Sequence, residues 1–461
     1  MGKRAIVLAG GGSRGAYQIG VWRALREMGI DYQIVTGASV GALNGAMMVQ
    51  GDYGLAAEMW ETILTGDIVD FDIPPEIADY GKAGWELDVW MAFVRKAVST
   101  GGADFTPLEK TIARVVDEAR VRASSVDFGL VTVEFPSMKA VELTTSQIPE
   151  GELQDFLLAS AACFPAFKSK QIGDAYYIDG GYHDNMPVNL AISMGAEEVL
   201  AVDLEGPGLI HKPKTYQVPV RYIRSYWSLG PFLWFEPALS KRNMALGYLD
   251  ARRAYGLAEG TAYSFKLGTS SLLKEQLLGP ARRLIERVRL WSEQESAAAV
   301  VRNQAMQHAV RFRFQRILRR RRGGLRSAEE FLLAAAETAG EQLELDPTVP
   351  YTLESFHDAL LAAFAPVEGI AAETMERLRR ERVPVRDLVD RVLREGRFQA
   401  VSLCYGELRR AVSDETLPVR LWNLCTLAPE AFLAAVYLYL VQTYRGRLRI
   451  SDKEAAGLEP V

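Results

Sequence analysis

Cysteine and histidine are both scarce in this chain. Its three cysteines, Cys163, Cys404 and Cys425, stand far apart with no Cys-x-x-Cys pair. That excludes a disulfide framework and reads as buried free thiols in a reducing compartment. The four histidines, His183, His211, His308 and His357, make no His-Glu-x-x-His motif and no cluster at zinc spacing, so no metal site is expected. Excess charge is missing too: a net charge of −5 gives no reason to expect nucleic acid. Nor is there a long apolar run. The longest, FLAAVYLYLV at 432–441, is about half a membrane span. The opening MGKRAIVLAGGG carries too short an apolar run for a secretion signal, and it runs into glycines rather than a cleavage site. Gly2 lacks the Ser or Thr that myristoylation wants, since Ile6 stands there. The expected location is the cytoplasm, with peripheral membrane contact.

What is present is an ordinary globular composition, 49% hydrophobic and 24% charged, over 461 residues. That length predicts two or three units. Residues 4–9 read as a buried strand. Residues 15–28, with Tyr17, Val21, Leu25 and Met28 at helical spacing, read as a helix that Gly29 stops. YQIVTG then reads as a second strand and VGALNGAMMVQG as a helix ending at Gly51. Strand–turn–helix twice over predicts an α/β fold with a mainly parallel central sheet flanked by helices. Further strands are expected at 128–133, 140–145, 175–178, 198–204, 220–225 and 263–268, with helices at 107–120, 150–162 and 187–195. Residues 269–461 are rich in Leu, Ala, Arg and Glu at helical spacing and predict an all-helical region of unknown role. The expected domains are thus 1–268 and 269–461. The second holds RFRFQRILRRRRGGLR at 311–326, which reads either as a solvated helix end and loop or as a contact for anionic lipid headgroups.

The chemistry starts at GGGSRG, residues 10–15, between the first strand and the first helix. Gly10, Gly12 and Gly15 fit the dinucleotide pattern G-x-G-x-x-G. That fold also wants an acid at the end of the second strand, but Asp31 precedes the strand. A P-loop would need Lys and Ser or Thr after Gly15, where Ala16 and Tyr17 stand. The second strand ends instead on GASVG. Gly37, Ser39 and Gly41 make G-x-S-x-G at a strand-to-helix junction, where a serine is held on a sharp turn with its hydroxyl above the sheet. A serine nucleophile needs donors for the developing oxyanion, and the Gly11 and Gly12 N–H groups at a helix start can supply them. Arg14 either reinforces the positive field or holds the loop. The plain alternative is a tight turn without chemistry.

The nucleophile needs a base. In YYIDGGYHDNMPV, residues 176–188, a strand ends at Asp179, and Gly180 and Gly181 let the chain turn tightly. Ends of parallel strands are where such sheets place function, so Asp179 is expected to face Ser39. Two readings stand: a Ser39–Asp179 dyad with His183 at the surface, or a Ser39–Asp179–His183 triad. A further stretch, SYWSLGPFLWFEP at 225–237, packs seven large apolar residues among Gly and Pro. It reads as a loop folded on the core, a contact with a second copy of the chain, or an apolar lip over Ser39.

These residues resemble the patatin-like phospholipase family, in a bacterial branch. GGGSRG is similar to its oxyanion loop, GASVG to its nucleophile elbow, LASAACFPAF (158–167) to its Ala-Ser-Ala block and DGGYHDNMPV to its Asp-Gly-Gly motif. The resemblance covers roughly 4–268. It implies a lipid acyl hydrolase without cofactor or metal, acting on fatty acyl esters of phospholipids or lysophospholipids. Ser39 would be the nucleophile, Asp179 the base, and Gly11, Gly12 and Arg14 the oxyanion site. Expected partners are a lipid substrate, an anionic membrane surface met transiently, and a second copy of the chain. The competing functions are a dinucleotide-binding oxidoreductase and a non-catalytic scaffold.

Overall fold

The computed structural model describes residues 2–69, 102–293, 327–368, 396–416 and 419–446, so the arginine run at 311–326 lies outside the described residues. Packing divides the chain into two units, Met1–Tyr255 and Gly256–Val461. In the first, β1 (Arg4–Leu8), β2 (Ile34–Ala38), the start of β3 (Asp127–Phe135), β7 (Glu198–Asp203) and β8 (Val220–Arg224) pair in parallel. With β5 (Lys170–Ile172) and β6 (Ala175–Asp179), the sheet order is β5-β6-β3-β2-β1-β7-β8. Side chains alternate along β1 as a strand requires. Ile6 and Leu8 enter the larger core with Tyr17 and Leu25 of α1 (Ala16–Glu27) and Met47 of α2 (Val40–Gln50). Ala5 and Val7 enter a smaller core on the other face, with Met186, Val188 and Ala191. Both faces are covered, which is why these parallel strands read as continuous apolar runs.

Three strands depart from the expected pattern. β4 (Lys139–Thr144), β6 (Ala175–Asp179) and β5 (Lys170–Ile172) pair antiparallel, and β5 carries no apolar run in the sequence. The departure matters because β3 is long enough for two partners on one edge. β2 takes its first half, with Ala38 opposite Val131, and β6 takes its second half, with Asp179 opposite Thr132. Two strands of opposite direction therefore meet end to end, and the residues following Ala38 and at Asp179 arrive at one place. Asp179 reaches the site from an antiparallel strand, not from the end of a parallel one as expected.

The helix expected at 107–120 is broken into α3 (Thr106–Val115) and α4 (Glu118–Ala123). Asp117 turns the chain by capping α4, accepting the Arg120 N–H at 3.2 Å. Buried Gln50 bridges the break, donating to the Val115 carbonyl and accepting the Asp117 N–H.

The second unit is built mainly of helices, among them α5 (Thr269–Glu293), α6 (Ala328–Gln342), α7 (Leu353–Glu368), α8 (Arg397–Ser413) and α9 (Pro429–Tyr444). It is not wholly helical. β9 (Ser264–Phe265), shorter than the strand expected at 263–268, pairs in parallel with β10 (Pro350–Tyr351) inside this unit. Buried Glu337 holds the approach to β9, its Oε1 accepting the N–H groups of Ala262 at 2.8 Å and Tyr263 at 3.3 Å. No helix among the described residues is long and apolar enough to cross a membrane.

Candidate active site

Ser39 follows β2 directly and has φ 54° and ψ −131°, a region that non-glycine residues rarely enter. Its neighbours make the turn this sharp. A Cβ added at Gly37 would overlap the Gly41 backbone, and one at Gly41 would overlap the Leu8 carbonyl. Buried Ser160 holds the turn: its Oγ accepts the Ser39 N–H at 2.9 Å and its hydroxyl donates to the Val131 carbonyl at 2.7 Å. On the other side, the Ala42 N–H donates to the Ser39 carbonyl at 2.9 Å. Strain of this kind typically costs about 1–3 kcal/mol and persists only where packing enforces it.

Ser39 and Asp179 line the same cavity, with the serine side chain close enough to the carboxylate to favour its ionised form. Asp179 accepts the Gly181 N–H at 2.7 Å and is 6% exposed. A Cβ at Gly180 would overlap the Val131 carbonyl, so this glycine lets the chain pass close over β3. Burial pushes the Asp179 carboxyl up to about 6, while the Gly181 N–H and the Ser39 side chain pull it down. It is therefore a stronger base than a free carboxylate and still mostly ionised at neutral pH.

The glycine loop faces the same place. Gly11 and Gly12 line one cavity with Ser39 and Asp179. Among the described residues neither the Gly11 nor the Gly12 N–H meets an acceptor. Gly12 has φ 55°, and a Cβ there would overlap the Phe232 carbonyl. Gly10 is pinned from below: its N–H donates to the Asn185 carbonyl at 3.0 Å, and Asn185 Nδ2 donates to its carbonyl at 3.2 Å. At Gly15 a side chain would strike Val40 and Trp60.

Arg14, expected in the oxyanion loop, and His183, the third residue of the alternative triad, both stand elsewhere. The Arg14 guanidinium is turned from the cavity, Nε donating to the Gly230 carbonyl at 2.7 Å and Nη1 to the Glu205 carbonyl at 2.8 Å. Arg14 holds the loop and does not line the cavity. His183 is outside the cavity as well. Its Nε2 lies 3.7 Å from Glu142 Oε1, and its ring meets His211 edge to face at 4.8 Å. The glycine turn that brings Asp179 to Ser39 carries His183 away from both.

The cavity has a volume of about 310 Å³. Beyond its polar end the walls are apolar, with Met47, Trp60, Ile112 and Phe167 among them. The aromatic stretch at 225–237 supplies Phe232, Leu233 and Phe235 to this wall, and Phe235 stacks on Trp60 at 6.1 Å. The same stretch straps the glycine loop: the Phe232 carbonyl accepts the Ser13 N–H at 2.8 Å and the Pro231 carbonyl accepts Ser13 Oγ at 2.7 Å. Trp227 packs half-buried against the core, and half-buried Trp234 donates its indole N–H to Glu236. Part of the stretch is thus cavity wall and part is folded onto the core.

Sequence reasoning missed Ser160, Asn185 and Asn44. The first two sit inside stretches that were legible, LASAACFPAF and DGGYHDNMPV, but nothing in spacing says what they bond. Asn44 lies on the helix after the elbow. Its Nδ2 donates to the Gly15 carbonyl at 3.0 Å and to Gln18 Oε1 at 2.8 Å, and its Oδ1 accepts the Trp60 indole at 2.9 Å. A lone polar residue on an apolar helix face is the only signal that pointed to it.

Residues 6–192 match a family model described as patatin-like phospholipase. Patatin-like phospholipase domain-containing protein 7 of Rattus norvegicus is 26% identical over 207 residues, 43% of this chain and 13% of that protein. Lysophospholipase NTE1 of Mycosarcoma maydis is 27% identical over 199 residues, 43% of this chain and 9% of that protein. The chain thus spans only a small part of the length of these relatives. Among solved structures, VipD from Legionella pneumophila aligns over 100% of this chain and 94% of its own at 13% identity, with a TM-score of 0.36, too distant to bear on function. The matched segment carries glycine loop, serine elbow and aspartate in that order on one sheet, and over residues 6–192 the chain is similar to the patatin-like phospholipase family.

Proposed function

We propose that the first unit hydrolyses fatty acyl esters of lipids, phospholipids or lysophospholipids among them, through a Ser39–Asp179 dyad and an acyl-enzyme. The observation that carries this reading is the convergence of Ser39, Asp179 and the Gly11–Gly12 loop on the polar end of one apolar cavity. Ser39 Oγ attacks the ester carbonyl carbon and its proton passes to Asp179. The carbonyl oxygen becomes an oxyanion, which the Gly11 and Gly12 N–H groups bind. A donor of this kind is typically worth about 3–4 kcal/mol in the transition state. The tetrahedral intermediate expels the alkoxide, which takes the proton from Asp179, and leaves the acyl group on Ser39. Water, deprotonated by Asp179, then attacks the acyl carbonyl, and the fatty acid is released as Ser39 Oγ takes that proton back from Asp179. The apolar walls seat the acyl chain. His183 takes no step, in keeping with its place beside Glu142 and His211.

A fluorophosphonate ester tests the assignment. It should label the intact chain at Ser39 and leave Ser39→Ala unlabelled and inactive on p-nitrophenyl esters. His183→Ala should retain both labelling and turnover. Loss of activity in His183→Ala equal to that in Ser39→Ala would restore the triad. Labelling that survives Ser39→Ala would remove the nucleophile.

A further inference from the structure

Beside the cavity the chain makes an irregular loop over residues 205–219. Pro207, Pro213 and Pro219 deny it a regular helix or strand. Its base is fastened to the site through backbone groups: the Leu209 N–H donates to the Gly181 carbonyl at 2.9 Å, and the Leu209 carbonyl accepts the Asn185 N–H at 2.6 Å. Pro207 and Gly208 are part of the cavity wall, as is the exposed Tyr182. The next side chains leave the wall for solvent. Leu209 is 58% exposed and Ile210 46%. His211, Lys212 and Lys214 follow, all exposed, and among the described residues neither lysine ammonium has an ion-pair partner. Asn189 braces this half of the loop, donating to the Lys212 carbonyl at 3.1 Å and accepting the Lys214 N–H at 2.8 Å. The loop is held at both points through its backbone, which leaves the side chains of Leu209, Ile210, Lys212 and Lys214 to meet a partner, while His211 packs against His183 and Asp184.

Single exposed apolar residues are ordinary on a protein surface. Two adjacent ones, continuous with the wall of an apolar cavity and followed by two uncommitted lysines, are a different arrangement. We infer that residues 208–216 are a contact surface for an anionic lipid bilayer, with Leu209 and Ile210 entering the acyl region and Lys212 and Lys214 meeting headgroup phosphates. Long lysine stems suit this geometry because their methylenes lie along apolar surface while the ammonium stays at the polar boundary. Docked so, a lipid acyl chain passes from the bilayer over Leu209 and Tyr182 into the cavity without crossing water. The inference rests on the acyl-ester reading above, since that reading is what makes the cavity a destination for lipid.

The full chain carrying Ser39→Ala, which spares the vesicles, is sedimented with phosphatidylcholine vesicles and with vesicles that also contain phosphatidylglycerol. Tighter binding to the anionic vesicles is expected, weakening as salt rises. Adding Lys212→Ser with Lys214→Ser should weaken that binding about tenfold or more and flatten its salt dependence. Adding Ile210→Ser should weaken binding about tenfold on the anionic vesicles while leaving the salt dependence in place. With Ser39 intact, Ile210→Ser and the lysine pair should leave hydrolysis of a soluble short-chain ester unchanged. Vesicle binding indifferent to all three substitutions overturns the inference. So does retention on an immobilised acidic peptide with no binding to vesicles, which would make the partner a protein. If the chain binds vesicles through this loop but hydrolyses no ester, the surface stands and the enzymatic reading fails.

Discussion

Ser39 and Asp179 face one cavity at the point where β2 and β6 meet end to end along one edge of β3. The two residues come from strands of opposite direction, and their register is set by consecutive residues of β3, Val131 and Thr132. The pair is thus held by the sheet itself, as the proposed dyad requires.

Asp179→Asn should abolish turnover and stabilise the fold. Because burial raises the folded carboxyl to about 6, its proton is held more tightly in the folded than in the unfolded chain. The resulting stability is fully present below the unfolded value and is lost as pH rises through about 6. At pH 8 the buried carboxylate therefore costs on the order of 3 kcal/mol, which the amide avoids while still accepting the Gly181 N–H. Thermal melts should show a higher Tm for Asp179→Asn at pH 8, a smaller gain at pH 5 and none in stronger acid. In the parent chain, kcat/KM on a soluble ester should fall as pH drops through about 6, where the base is protonated. A profile flat across that range, or an Asn variant with no gain in Tm at pH 8, would contradict this account of Asp179.

Ser39→Gly should separate strain from chemistry. Ser39 sits at φ 54°, which glycine adopts without penalty. The variant should be inactive yet more stable than Ser39→Ala by about 1 kcal/mol, with the added freedom of unfolded glycine already subtracted. Denaturant melts of the two inactive variants decide it. Equal midpoints would mean that the elbow is not strained.

Asn44 should act as a positioning residue. Its bonds to Gly15 and Trp60, and that of Gln18 Nε2 to the Ala9 carbonyl at 2.7 Å, brace the glycine loop on both sides. Asn44→Ala strands a buried indole N–H and a buried carbonyl, at a cost of about 1–3 kcal/mol for each. The expected kinetic effect is a drop in kcat of about tenfold on a soluble ester with KM little changed, because the oxyanion donors are misplaced while the apolar walls remain. A raised KM with kcat intact would assign the network to substrate binding instead.

Much of the site could be read without coordinates because its parts are local. A turn as sharp as the one at Ser39 admits only glycine at positions 37 and 41, and the close passage of the chain over β3 admits only glycine at 180. Such steric demands leave a residue-level trace. The parallel strands were legible for a similar reason, since burial on both faces selects continuous apolar runs. β5 and the break at Asp117 were not, because a half-exposed strand and a capped kink are decided by what packs on them.

By itself the sequence determined the parallel strands of the first unit, the glycine loop, the serine at its elbow and the aspartate before its paired glycines. All of these follow from backbone sterics and periodicity within a few residues. Only the tertiary structure decided which groups meet. It sent Arg14 to the Gly230 and Glu205 carbonyls and His183 to Glu142, and it brought Asp179 in on an antiparallel strand. It also set Phe232 and Phe235 into the cavity wall and left Leu209 and Ile210 at its edge. These are contacts between residues far apart in the chain. Their partners are selected by register along β3 and by packing around one cavity, and neither leaves a pattern in the spacing of residues along the sequence.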